Sequence, residues 1–125
     1  MAEIQYESKV IDQRIAYWKF KEEATGQTFA SAFNEFLGMV GQPAITNLLV
    51  NVEMKNAWNR SIQDIWLKTG EVADHHGITK WAVVTSETGK ELTIRYLIKG
   101  GAGGKRRYAQ MVTDDEAEAI DWLLS

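Results

Sequence analysis

Apolar and polar residues alternate near the start of the chain. Ile4 and Tyr6 begin the pattern, and the segment 15–20 (IAYWKF) places aromatic and aliphatic residues on both parities. Aromatic and β-branched residues with a period of two are typical of β-strands. We therefore predict two short strands that pair as a hairpin and turn near Asp12 and Gln13.

The apolar spacing becomes helical after Thr28, which predicts an amphipathic helix. Thr25 or Thr28 can cap its first turn, because a threonine hydroxyl accepts from a free backbone amide. Gly41, in a left-handed conformation, and the following Pro43 are expected to end the helix. The residues of its apolar stripe are Phe29, Ala32, Phe33, Phe36, Leu37 and Val40.

Two runs of consecutive apolar residues predict strands that are covered on both faces, as in parallel sheets flanked by helices. The first contains Leu48–Val50, and the second runs from Ile78 to Thr85 (ITKWAVVT). A second amphipathic helix is predicted between them, from about Arg60 to His76, with Asn59 or Ser61 as its cap. The residues of its stripe are Ile62, Ile65, Trp66, Thr69, Val72 and Ala73.

The last part of the chain is predicted to add a helix, a strand and a final helix. Thr88 to Glu91 has capping-box spacing, which favours a third helix over Leu92–Ile98. A short strand is predicted from Arg107 to Val112, and Thr113 to Glu116 forms a second capping box. The predicted buried face of the last helix is Ala117, Ile120 and Leu124, with Trp122 and Leu123 beside it.

The predicted order of elements is β-β-α-β-α-β-α-β-α. Alternation of strands and helices is typical of an α/β domain whose sheet is connected by crossover helices. A chain of 125 residues is long enough to bury one core. We therefore predict a single α/β domain with a mixed sheet, spanning residues 1–125.

Two segments of the chain resemble the SpoIIAA-like (STAS-like) family, which has the fold of anti-sigma-factor antagonists. The segment NLLVNVEMKNAWNRSIQDIW resembles the family's buried strand, its short loop with an aromatic residue and the helix that follows. The segment MVTDDEAEAIDWLL resembles its closing strand and helix. The resemblance covers nearly the whole chain and rests on element order and spacing. It implies a non-enzymatic regulatory domain that binds a protein partner or another copy of itself.

The phosphorylatable members of that family carry a serine in an Asp-Ser-Ser/Thr-Gly-like element at the start of the second helix. The corresponding stretch of this chain is Trp58-Asn59-Arg60-Ser61-Ile62, which lacks the aspartate and the glycine. We therefore expect Ser61 to cap the helix and not to act as a phosphorylation switch.

The candidate contact site for a partner or ligand is the loop before the second helix. In open α/β sheets such a loop lies at the C-terminal edge of the strands, where ligands usually bind. Trp58 in this loop either contacts a partner or folds back on the core, whereas Trp66, Trp81 and Trp122 are expected to be core. The candidate contact residues are Lys55, Asn56, Trp58, Asn59, Arg60 and Ser61.

Composition and motifs favour neither catalysis nor a cofactor. The chain has no cysteine, and its net charge of −3 does not favour nucleic-acid binding. No serine lies in a nucleophile elbow, and the adjacent His75 and His76 point too far apart on a helix to bind one metal ion. We expect no catalytic residue, no metal and no cofactor.

The glycine-rich segment 100–104 is predicted to be a connection. Lys99 and Arg106 stand where a phosphate-binding loop requires a glycine and a hydroxyl residue. No apolar run is long enough for a membrane span, and no signal peptide is evident, so a cytoplasmic location is expected.

A carrier of a small apolar or lipid-like ligand is the alternative function. The first helix is rich in aromatic side chains that could hold such a ligand against the sheet, although the same stripe is more often plain core. These residues are Phe29, Phe33 and Phe36, together with Met39.

Overall fold

The protein is described by a computed structural model, which covers residues 5–53, 60–85 and 108–125. The predicted third helix over Leu92–Ile98, its capping box from Thr88 and the glycine-rich segment 100–104 lie outside the described residues. The elements within them are β1 (Tyr6–Ile11), β2 (Ile15–Phe20), α1 (Gly26–Val40), β3 (Asn47–Val52), α2 (Arg60–His75), β4 (Lys80–Val84), β5 (Ala109–Thr113) and α3 (Glu116–Leu124).

The strands form one five-stranded mixed sheet in the order β1-β2-β3-β4-β5. β1 is antiparallel to β2, and every following pair is parallel. Asp12 and Gln13 both have left-handed φ angles, 52° and 64°, as the tight hairpin turn between twisted strands requires. The predicted hairpin and the predicted α/β class with a mixed sheet are confirmed.

Helices cover the sheet on both faces. Alternate residues of β2, β3 and β4 divide between two hydrophobic clusters, and all six residues of β3 are buried. One cluster contains Leu48 and Val50 and lies beneath α1 and α2, and the other contains Leu49 and lies beneath α3. The prediction that consecutive apolar residues form doubly covered strands is confirmed.

The termini of α1 and α2 are formed by residues with different backbone conformations. Thr25 is the N-cap of α1 and forms a reciprocal capping box with Thr28. The left-handed conformation predicted for Gly41 is wrong, because its φ is −74° and the amide of Gln42 continues the turn by donating to Met39 O at 3.0 Å. Among the glycines that the structure describes, Gly77 is the left-handed one, with φ of 80°, at the end of α2.

The buried face predicted for the last helix is wrong. Ala119 and Leu123 are its buried residues, whereas Ala117 is exposed and Trp122 is only partly buried. Apolar residues occur on almost every side of this short helix, so the spacing of its apolar residues could not identify the face that packs on the sheet.

The predicted capping box of the last helix is also wrong. Asp115 is the N-cap, and its Oδ1 accepts from the amides of Ala117 (2.9 Å) and Glu118 (3.2 Å). Thr113 lies two residues earlier, where its hydroxyl oxygen accepts from the amide of Asp115 at 3.2 Å. Asp115, two residues closer to the helix, therefore takes the cap position predicted for Thr113.

Candidate functional site

The predicted contact loop is described only at its end. Lys55, Asn56, Trp58 and Asn59 lie outside the described residues. Arg60 and Ser61 are exposed on the first turn of α2, and the side chain of Arg60 is 91% exposed. Their role in binding stays a prediction.

Ser61 does not occupy the cap position predicted for it. α2 begins at Arg60, so Ser61 is its second residue. The hydroxyl of Ser61 faces the start of α1 instead, because a Cβ atom built on Gly26 would lie 3.2 Å from Ser61 Oγ. The first turns of α1 and α2 are therefore close neighbours.

The strand order does not support a ligand crevice at the sheet edge. Such crevices form where the strand order reverses direction, which separates neighbouring loops. The four parallel strands β2 to β5 follow one another in chain order, so no reversal occurs among the described strands. The order of the described strands therefore gives no reason to place a ligand at the loop before α2.

The structure instead contains an apolar crevice where α1, α2 and the sheet meet. Its volume is about 40 Å³. Leu48 and Val50 of β3 contribute to its lining, together with Ala32 of α1. Phe33 of α1 and Ile65 of α2 are its partly exposed apolar members. We call this feature the α1–α2 crevice.

Aromatic rings make up much of the remaining lining. Phe29, Phe33 and Phe36 come from α1, and Trp18, Trp66 and Trp81 come from β2, α2 and β4. Their contacts are close: Phe36 meets Trp18 edge-on at 5.6 Å between ring centroids, and Trp66 lies 5.1 Å from Trp81. Flat rings of this kind give the crevice rigid apolar walls.

The aromatic stripe of the first helix was therefore identified from the sequence, but the tryptophans of the crevice were not. Phe29, Phe33 and Phe36 all line it, whereas Met39 packs against the surrounding core. Trp66 and Trp81 are buried, as predicted, yet they also line the crevice. The sequence did place tryptophans at inward-facing positions of three elements, and this pattern could have indicated a shared aromatic site.

The polar groups of the crevice are few. The hydroxyl of Thr69 donates to the carbonyl oxygen of Ile65 at 2.8 Å, which closes a bond within α2. Within the part of the chain that the structure describes, Nε1 of Trp18 and Nε1 of Trp81 have no hydrogen-bond partner. Its lining, as far as the structure describes it, contains no charged residue. The crevice is therefore suited to a neutral, largely apolar molecule.

A second, polar depression lies beside the ends of β1 and β2, with a volume of about 370 Å³. Its lining includes Glu7, Lys19, Lys21 and Glu53. Nζ of Lys19 lies 3.2 Å from Oε1 of Glu53, and this pairing raises the pKa of Lys19. Ion pairs are common on protein surfaces, so we propose neither a ligand nor a reaction for this depression.

Metal binding and membrane insertion find no support in the described residues. No cluster of three or more histidine, aspartate or glutamate side chains there could hold a metal ion. None of the helices among those residues combines the length and the apolar character that crossing a bilayer requires.

Comparison with known proteins adds no family assignment. No protein-family model, curated protein or solved structure matches this chain. The resemblance to the SpoIIAA-like (STAS-like) family therefore stays a prediction.

Proposed function

We propose that this chain is a non-enzymatic binding domain of STAS-like type that holds a small apolar ligand in the α1–α2 crevice. The observation that carries the proposal is the crevice itself, an aromatic-lined opening of about 40 Å³ between two helices and the centre of the sheet. Protein interiors are normally close-packed, with few voids larger than a water molecule. A void bordered by rings from four elements is a suitable place for a ligand.

The size of the crevice favours a slender ligand. A cavity that receives benzene measures about 150 Å³. A volume of about 40 Å³ instead suits the end of an unbranched chain. Each methylene group that leaves water for such a site contributes about 0.8 kcal/mol, so a few carbons give measurable affinity.

The lining supports binding without conversion of the ligand. Acid–base or nucleophilic catalysis requires a titratable or activated group within hydrogen-bond reach of the reacting atom. Among the described residues that line the crevice, the hydroxyl of Thr69 is the one candidate nucleophile, and it donates to Ile65 O. A ligand bound in the crevice would therefore be released chemically unchanged.

A protein partner is the second candidate, because Arg60 is almost fully exposed at the start of α2. Trp58, in the loop predicted before this helix, is the second proposed contact residue. Trp58→Ala and Arg60→Ala should then weaken complex formation without lowering the melting temperature by more than a few degrees. Binding of a purified partner that both variants retain at full affinity would contradict the assignment of this surface.

Native mass spectrometry of protein purified from its own cells tests the two candidates together. We expect the wild-type chain to carry the added mass of a small molecule, whereas a protein partner would add the mass of a polypeptide. Ala32→Val places two methyl groups in the crevice and should abolish the small added mass. Gly38→Ala on the exposed side of the same helix is the matched control and should retain it. An added mass that Ala32→Val retains would contradict binding in the crevice.

A further inference from the structure

We propose that the ligand of the α1–α2 crevice is a slender neutral molecule with a hydrogen-bond acceptor, to which the indole N–H groups of Trp18 and Trp81 donate. This inference rests on the proposed function and specifies the class of ligand. An alkyl ketone, ester or ether has the required chemistry.

The indole N–H groups of Trp18 and Trp81 are buried hydrogen-bond donors. Trp18 is 3% exposed and Trp81 is 0% exposed, and neither Nε1 has an acceptor in the described part of the chain. Buried polar atoms in native proteins are almost always hydrogen-bonded, because an unpaired buried donor lowers stability. Two such donors on rings that line one crevice indicate that the acceptor comes from a molecule bound there.

The two tryptophans lie on the strands on either side of β3. Trp18 of β2 pairs with Val50 of β3, and Trp81 of β4 pairs with Leu48 of β3. Leu48 and Val50 both line the crevice, so the tryptophans flank it on opposite sides. Neighbouring strands lie about 4.8 Å apart, which places β2 and β4 about 10 Å from each other. A short chain that lies over β3 can therefore reach an indole on either side.

The lining of the crevice also restricts the charge of the ligand. None of the described residues that line the crevice is charged, so they offer no counter-ion to a buried carboxylate or ammonium group. Burial of an unpaired charge is far less favourable than burial of a neutral carbonyl oxygen that accepts a hydrogen bond. The acceptor must therefore be a neutral oxygen, and free fatty acids should bind poorly through their carboxylate end.

Three probes of equal chain length test the inference: n-hexane, methyl butyl ketone and hexanoate. Each is titrated into the full chain, and the affinity and the indole N–H proton resonances are followed by NMR. We expect the ketone to bind about tenfold more tightly than hexane, the gain from one buried hydrogen bond. Hexanoate should bind most weakly. The N–H resonances of Trp18 and Trp81 should shift downfield with the ketone only.

Tryptophan-to-phenylalanine variants separate the N–H group from the aromatic ring. Trp81→Phe and Trp18→Phe should each lower the ratio of ketone to hexane affinity toward one. Trp122→Phe on the opposite face of the sheet should leave the ratio unchanged, since Trp122 belongs to the cluster beneath α3. Where a variant fails to fold, the resonances of the wild-type chain decide the question.

The outcomes distinguish this inference from the proposed function. Equal binding of hexane and ketone with unmoved indole resonances would overturn the inference and leave the proposed function standing. Tightest binding of hexanoate would overturn the assignment of a neutral ligand. A water molecule that stays bonded to the indole groups while the ketone binds would likewise overturn the inference. Binding of none of the three probes would overturn the proposed function and the inference together.

Discussion

The phenolic hydroxyl of Tyr17, on β2, donates a hydrogen bond of 2.6 Å to Oε1 of Glu116, the first residue of α3. The same carboxylate oxygen accepts from Nδ2 of Asn51 on β3 at 3.3 Å. Tyr17 and Asn51 are both buried, so this carboxylate joins the start of α3 to two neighbouring strands. The bond therefore fixes where the last helix crosses the sheet.

Loss of this bond should destabilise the domain measurably. Tyr17→Phe keeps the ring and removes the hydroxyl, and we expect the free energy of unfolding to fall by about 1–3 kcal/mol, the usual value of a hydrogen bond to a charged group. Urea unfolding measures the change. Tyr6→Phe is the matched control, because the hydroxyl of Tyr6 donates to Glu35 at an exposed position and should contribute less. Equal losses in both variants would show that the bond to Glu116 has no special role.

Stability should also fall at alkaline pH because of Tyr17. Burial raises the pKa of Tyr17 above its ordinary value of 10.0, and the hydrogen bond to Glu116 raises it further. The folded state then keeps the neutral phenol at pH values where the unfolded chain ionises. The contribution of Tyr17 is therefore complete below about pH 10 and is lost as the pH rises above that value.

Unfolding curves between about pH 9 and pH 11 check this prediction. The loss of stability over that interval should be smaller in Tyr17→Phe than in the wild-type chain. Part of the loss should remain in the variant, because Lys19 also has a raised pKa, chiefly from its hydrogen bond with Glu53, and contributes in the same direction. An identical alkaline loss in both proteins would refute the role of Tyr17.

The cap of α3 should be specific to Asp115. Asp115→Ala leaves the amides of Ala117 and Glu118 without their acceptor, and we expect a loss of about 0.5–2 kcal/mol. Asp115→Ser should lose much less stability than Asp115→Ala, since serine is also a favourable N-cap. Asp114→Ala, at the exposed neighbouring position, is the control and should change stability little. Thermal or urea unfolding of the three variants suffices, and a larger loss in Asp114→Ala than in Asp115→Ala would show the cap to be misassigned.

Two glycines of α1 should respond differently to alanine. Gly38 has open space around it, so Gly38→Ala should raise the free energy of unfolding by about 0.5–1 kcal/mol. Gly26 lies against Ser61, whose Oγ would be 3.2 Å from the added Cβ, so Gly26→Ala should gain less or lose stability. Ser61→Ala should relieve the contact, and the double-mutant cycle measures the coupling. Additive effects of Gly26→Ala and Ser61→Ala would contradict the close approach of the two helix ends.

The local pattern of the sequence was sufficient to predict most elements and their order. The alternation in the segment 15–20 predicts β2, and the apolar stripes predict α1 and α2, because periods of two and 3.6 reflect the geometry of a single element. The start of α1 at its Thr25 cap was also predictable, since the hydrogen bonds of a capping box join residues three positions apart.

The candidate site could be predicted only in part. The aromatic residues of α1 indicated a surface that could hold an apolar molecule. The tryptophans of β2 and β4 could not be added to it, because their positions beside β3 depend on strand pairing between distant parts of the chain. The loop that contains Trp58 was selected by analogy with sheets whose strand order reverses, which the described strands do not do.

By itself, the sequence determined the α/β class, the hairpin and the doubly covered strands, since each follows from the period and composition of short segments. Tertiary structure alone decided which side of α3 is buried and which tryptophans border the α1–α2 crevice. The helix is apolar on several sides, so its orientation depends on Asp115 at its start and on the bond from Tyr17 to Glu116, 99 positions apart. Such contacts join segments that no local pattern relates, because they form only when the whole sheet is assembled.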